Sequence, residues 1–271
     1  GKIIYVDDDA NSPGDGRGWA TAYRYLQDGL ADARAAGGGG GDGGGNGGGD
    51  PRSVEGDGGA GAGIEIRVAQ GIYRPDRGAS QPNGTGDRLA SFELVSGVAL
   101  TGGYAGLGAA DPNARDPRLY EAILSGDLAG DDVPVQDPCD LPGEPTRDEN
   151  SHHVVTSHGV EGTTLIDGFT IRAGTAEMMP SSPGTPDRGA GMLNVESTLR
   201  ILRCTLVGNS ARGGGGGMCN EGGTVTIAGC RFEANAGGGL SNMCSSRIQA
   251  TDTIFRGNHC AGWGGRSKAA A

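Results

Sequence analysis

Three consecutive stretches in the C-terminal third follow one template: GAGMLNVESTLRILRCTLVGN (189–209), GGMCNEGGTVTIAGCRFEAN (216–235) and GGLSNMCSSRIQATDTIFRGN (238–258). Asn209, Asn235 and Asn258 are spaced by 26 and 23 residues, and Asn194, Asn220 and Asn242 by 26 and 22. The apolar positions match as well: Leu199/Val225/Ile248, Ile201/Ile227/Ala250, Cys204/Cys230/Thr253 and Leu206/Phe232/Phe255. A repeat this short cannot bury an apolar face alone, so its copies must stack on one another. Inside a unit, Val225 and Ile227 alternate, a two-residue step follows, and Cys230 and Phe232 alternate again. Period-two alternation marks strands, and the step marks a corner that resets which residues point inward. Short strands, corners and no helical period predict an all-β parallel β-helix. Its successive turns would lie ~4.8 Å apart, with equivalent side chains forming ladders.

The 56 glycines and 13 prolines among 271 residues fit this reading. Such a composition disfavours long helices, since Gly costs up to ~1 kcal/mol per helical position relative to Ala. Working backwards, LIDGFTIRAGTA (165–176) takes the same register, with Phe169 over Cys204 and Ile171 over Leu206. A Pro/Ser-rich loop, 177–188, interrupts the repeat there. Less regular strands are expected in IEIRVAQGIY (64–73), FELVSGVAL (92–100), AILSGDL (122–128) and HHVVTS (152–157), separated by loops at 74–91, 105–118 and 127–150. The solenoid therefore spans 64–265.

The N-terminus reads differently. IIYV (3–6) is a strand, and Trp19, Tyr23, Leu26, Leu30 and Ala33 recur at helical spacing, predicting a helix over 20–35. Residues 1–36 then form a strand-plus-helix cap, which covers the edge and apolar interior that a first turn would otherwise expose. Residues 37–63, nearly all Gly and Asp, have nothing to pack and read as a disordered insertion. At the other end RSKAAA (266–271) replaces an expected strand, which reads as a truncated tail, and the opening Gly1-Lys2 reads as a mature form or fragment. An open last ladder of Ile248, Ala250, Thr253 and Phe255 predicts end-to-end self-association.

Formal net charge is −11 with only two lysines, which argues against a nucleic-acid partner. No run reaches the ~18 apolar residues of a transmembrane segment. Six cysteines without a CxxC pair offer no zinc spacing. Cys204 and Cys230 are expected to stack as buried free thiols, because parallel Cβ vectors suit a bridge poorly.

YVDDDA…GWATAYRYLQDGL…IEIRVAQGIYRPD resembles the N-terminal module of secreted right-handed parallel β-helix proteins of the pectin-lyase-like superfamily. The GGGMxN…CxFxxN units resemble the repeats of polymorphic outer-membrane proteins. The resemblance implies a right-handed coil and a secreted, extracellular or cell-surface location. The fold hosts lyases, hydrolases and adhesins alike, so activity has to be argued from a site. Lyases of this kind need carboxylates holding Ca²⁺ with an Arg or Lys base, and hydrolases need aspartates on adjacent turns. Here Glu233 and Asp252 stand isolated on the regular repeats and Asp167 sits at a corner.

Acidic residues do gather in Asp7, Asp8, Asp9, Asn11 and Asp15, a run able to wrap Ca²⁺ through Asp7, Asp9 and Asp15; the plainer alternative is a solvated turn. Asp127, Asp131 and Asp132 read as an acidic loop. His152, His153 and His158 lack a carboxylate or cysteine at a matching offset and read as structural. Trp263, among glycines, could stack on sugar. These features lead to the expectation of a non-catalytic binding or adhesion protein that recognises a polysaccharide or cell-surface glycan. The rivals are a polysaccharide lyase or glycoside hydrolase built on loops 105–150 and 177–188, and a structural stalk.

Overall fold

The structure is a computed structural model that describes residues 1–11, 14–37, 63–177 and 187–259. Nearly all of the 37–63 insertion, most of the 177–188 loop, Cys260, Trp263 and the 266–271 tail lie outside the described residues. The chain is mostly β, in parallel sheets with few helices. The first sheet runs, in hydrogen-bonded order, Ile3–Val6, Ile64–Ala69, Val98–Tyr104, Thr164–Asp167, Met192–Leu202, Met218–Ala228 and Leu240–Met243. The second runs Gly71–Tyr73, Ala122–Ser125, Phe169–Arg172, Thr205–Val207, Arg231–Glu233 and Ile254–Arg256. Parallel partners require the chain to return between them, usually through a helix. Here, between Met192–Leu202 and its partner Met218–Ala228, the chain passes through Thr205–Val207 of the second sheet and Ser210–Ala211 of a third, small one.

The register is the one read from the repeats. Asn194 pairs with Asn220 and Asn220 with Asn242, and the Leu199/Val225/Ile248 and Leu206/Phe232/Phe255 sets lie directly over one another. Val225, Ile227, Cys230 and Phe232 are fully buried, each contributing on the order of 1.5–3 kcal/mol of apolar burial for the larger side chains. Cys204 and Cys230 are stacked free thiols, with the Cys204 amide donating to Cys230 Sγ at 3.4 Å. The corners recur too. Arg203, Gly229 and Asp252 follow the equivalent strands and all have φ between 48° and 64°. The turn is therefore set by the stacking and not by glycine alone. In the last described repeat Ile254 and Phe255 are 47% and 49% exposed.

Several local expectations are corrected. The α-helix is Leu26–Gly37 and not 20–35. Trp19–Thr21 forms only a 3-10 turn, and the Tyr23 amide donates to the Tyr5 carbonyl at 2.9 Å while its own carbonyl accepts the Asp7 amide at 2.8 Å. Residue 23 is thus held extended against the free edge of Ile3–Val6 and cannot be helical. The helix itself does cover the first sheet, with Leu26, Leu30 and Ala33 in one buried cluster with Ile4, Val6 and Ile66. Trp19 belongs elsewhere, in an edge contact with Tyr5 at 4.9 Å beside Tyr104 and Ala69.

The run 64–73 is two strands, Ile64–Ala69 and Gly71–Tyr73, in different sheets. Likewise 92–100 divides into Phe92–Glu93, paired with Val155 and Thr156, and Val98–Tyr104, paired with Ile64 onwards. The 152–157 strand begins only at Val155 and ends at His158. In the first two cases the apolar pattern carries on past the break between strands, so periodicity alone does not mark it.

Candidate functional site

The acidic run at the N-terminus is a docking device. Asp7 is buried, its Oδ2 accepts the Leu107 amide at 2.6 Å, and its Oδ1 accepts the Asp9 amide at 3.0 Å. Asp8 Oδ2 accepts the Ile72 amide at 3.0 Å. Close approach of backbone is what permits this: a Cβ on Gly106 would stand 2.5 Å from Asp7 Oδ2, and one on Gly71 2.2 Å from Asp8 Oδ1. Burial pushes both carboxyls above their usual range, against the lowering effect of those amides. Asp7, Asp8 and Asp9 come together closely enough for one ion. Asp15 stands apart, accepting the Arg17 amide at 3.1 Å. The carboxylates brought together are thus Asp7, Asp8 and Asp9 and not Asp7, Asp9 and Asp15, with Asp7 and Asp8 also accepting backbone amides and Asp15 turned to Arg17. The buried Asp7 equally excludes a merely solvated turn.

The histidines each have a protein partner. His152 Nδ1 lies 3.1 Å from the Thr175 carbonyl, His153 Nδ1 lies 3.1 Å from the Gly189 carbonyl, and His158 stands 3.7 Å from Glu93. The 127–150 segment is more than an acidic loop. Asp127 is buried and accepts the Gly130 amide at 2.6 Å, while Asp132 pairs with buried Arg147 at 2.9 Å. Arg147 also donates to the Gly208 carbonyl at 2.9 Å, which ties the loop to the second sheet. Burial raises the Asp132 carboxyl and lowers the Arg147 guanidinium, so desolvation outweighs their attraction on both sides.

That tether shapes a groove on the outer face of the second sheet. Phe169, Ile171, Leu206 and Phe232 point into the core, while Thr170, Arg172, Thr205, Val207, Arg231 and Glu233 point out. One cavity of about 390 Å³ sits at the N-terminal ends of these strands, lined by Asp116, Arg118, Thr170, Arg203, Thr205 and Arg231. A second of about 350 Å³ sits at their C-terminal ends, beneath the 127–150 loop, with Asp127, Asp132, Leu141, Arg147 and Arg172 in its wall.

Beside the first cavity Asp167 is buried and clasped by Arg203, through its Nε and Nη2, and by Arg115 at 3.0 Å. The sequence reading places Asp167 at a corner and does not join it to Arg203. Their separation of 36 residues is one repeat plus an insertion, and this is the signal that could have paired them. Asp116 accepts the Arg118 amide at 2.9 Å, and Arg231 pairs with Glu233 at 2.6 Å. Among the described residues Arg118 and Arg172 form no ion pair. This face therefore presents guanidinium groups and the Thr205 hydroxyl on a parallel sheet, with the Thr170 hydroxyl donating to Glu121 at 2.6 Å. No protein-family model matches the chain, and neither does any curated protein or solved structure.

Proposed function

We propose that the chain winds as a right-handed parallel β-helix and binds a polysaccharide, without cleaving it, along the outer face of its second sheet. The carrying observation is the outer face between the two long loops, where Arg118, Arg172, Arg231 and Thr205 offer donors along successive strands, while the Thr170 hydroxyl already donates to Glu121 at 2.6 Å. An extended, repeating ligand suits a floor whose side chains repeat at strand spacing. Cleavage of a glycosidic bond needs a carboxyl group free to exchange a proton. What favours binding is that the carboxylates beside these strands are engaged: Asp167 is buried between two guanidiniums, Glu233 is paired with Arg231, Glu121 accepts the Thr170 hydroxyl, and Asp116 accepts an amide within its own loop. The resemblance of the N-terminal module and the repeats to secreted β-helix proteins supports a secreted or cell-surface setting.

The test is affinity electrophoresis of the whole chain in gels carrying acidic or neutral polysaccharides, with unsaturated and reducing-end products assayed in parallel. The reading expects retardation that Arg118→Ala with Arg231→Ala abolishes, and no product. Release of oligosaccharides would replace it with the lyase or hydrolase alternative, and absence of retardation in every gel would leave the stalk.

A further inference from the structure

A separate cavity of about 300 Å³ lies on the far side of the N-terminal region, between the start of the helix and Gly71–Tyr73. Three arginines line it, Arg24, Arg74 and Arg77, together with Asp8 and Tyr25. Two of them are anchored from behind by neutral groups. Arg74 Nε donates to the Asp127 carbonyl at 2.7 Å, and Arg77 Nη2 donates to the Leu128 carbonyl at 3.4 Å. Among the described residues none of the three forms an ion pair.

The segment that carries them is fixed to the helix. Gln27 Nε2 donates to the carbonyls of Pro75 and Ser91 at 2.6 and 2.9 Å, and Asp28 Oδ2 accepts the Ala79 amide at 3.0 Å. Arg77 Nε is buried and has no partner. A buried guanidinium N–H without an acceptor is costly, and like charges held together in a half-buried cleft repel. Burial first, and then Arg77 alongside, lower the Arg74 guanidinium below its ordinary range, against the attraction of Asp127 and Asp76. An acidic chain that concentrates three unpaired arginines in one cleft has built an acceptor-seeking site.

We propose that this cavity binds a tetrahedral oxyanion, a sulfate or phosphate group, free or as the ester of a sugar. A tetrahedral dianion offers three oxygens to three guanidiniums, where a carboxylate offers two. Asp8 lies at the rim with one oxygen on the Ile72 amide, leaving it able to accept a hydroxyl of whatever carries the ester. This proposal does not rest on the polysaccharide reading, although Asp127, in the wall of the second cavity of the outer face, also holds Arg74.

The experiment is isothermal titration calorimetry of the full chain with sodium sulfate and sodium phosphate, at ionic strength held constant with sodium chloride. Saturable one-site binding is expected. Arg74→Gln and Arg77→Gln should each weaken it by about tenfold or more, as for loss of a charge-assisted hydrogen bond. Arg24→Gln removes an exposed side chain with no hydrogen bond in the fold, so its expected several-fold loss is free of any folding defect. Arg200→Gln, on the outer face of the first sheet, should bind as the parent does. Tighter binding of glucose 6-sulfate or glucose 6-phosphate than of the inorganic anion would identify a sugar ester as the ligand, and equal binding a free oxyanion. Absence of saturable heat with either salt, or heat unchanged by Arg24→Gln and Arg77→Gln alike, overturns the proposal.

Discussion

Asn209 donates its Nδ2 to Oδ1 of Asn235 at 3.1 Å, and its backbone amide donates to the same oxygen at 3.0 Å. Asn235 repeats the pattern one layer on, donating to Asn258 Oδ1 at 2.9 Å and to the Leu206 carbonyl at 2.9 Å. Each amide thus satisfies the backbone of the preceding turn, and both Asn209 and Asn235 are wholly buried. Asn235→Ala strands several buried polar groups and should lower stability by roughly 2–4 kcal/mol in urea denaturation. Asn235→Asp keeps the acceptor but loses both donors and buries a charge, so it should be worse at neutral pH than in acid. An alanine variant as stable as the parent would show that the ladder contributes nothing.

Phe232 and Phe255 stack with centroids 4.8 Å apart and planes 10° from parallel, yet only Phe232 is enclosed on both sides. Phe232→Ala should cost about 3–5 kcal/mol. Phe255→Ala, at a ring that is half exposed, should cost less than half as much. Equal losses in paired chemical denaturation would mean that the Phe255 layer is covered in solution.

Burial pushes the His153 imidazole down from 6.5 to about 4, and its Nε2 is buried without a partner. The unfolded chain therefore takes up this proton first. The stability contributed is complete above about pH 6.5 and is lost as pH falls through about 4, up to about 3 kcal/mol in all. Asp7 and Asp8, whose carboxyls are raised by burial, act with the opposite sign and lose stability as pH rises through their folded values. Subtracting the pH dependence of His153→Phe from that of the parent isolates the histidine. A difference that stays flat between pH 7 and 4 would contradict its assignment as a buried neutral ring.

The N-terminal carboxylates are expected to behave as backbone acceptors and not as calcium ligands. Adding calcium or a chelator should leave the melting temperature unchanged. Gly106 has φ of 77° and faces Asp7 Oδ2, so Gly106→Ala should destabilise by roughly 1–3 kcal/mol through strain at that position, plus the clash. A rise in melting temperature with calcium that Asp7→Asn removes would restore the metal reading.

Stacked parallel strands were legible because each repeat places like residues at like positions, so aligning the chain on itself is the same operation as pairing its neighbours. The buried set Val225, Ile227, Cys230 and Phe232, and the pairing of Asn194 with Asn220, came directly from that alternation. Outside the repeats the same reasoning weakened. The helix pattern around Trp19 is real in spacing, but the hydrogen bonds from the Tyr23 amide to Tyr5 and from the Asp7 amide to Tyr23 outcompete it.

What only the tertiary structure decided lies between segments with no sequence relation. Asp7 reaches Leu107 across 100 residues, Arg115 reaches Asp167 across 52, and Arg24 joins Arg74 and Arg77 across the start of the helix. Local alternation determines which face of a strand is buried, since that depends only on neighbours two residues apart. A site made of charged side chains from loops has no such period. Its members are selected by where the loops are tied down, here by Gln27 to Pro75 and by Arg147 to Gly208, and those ties exist only once the sheets are stacked.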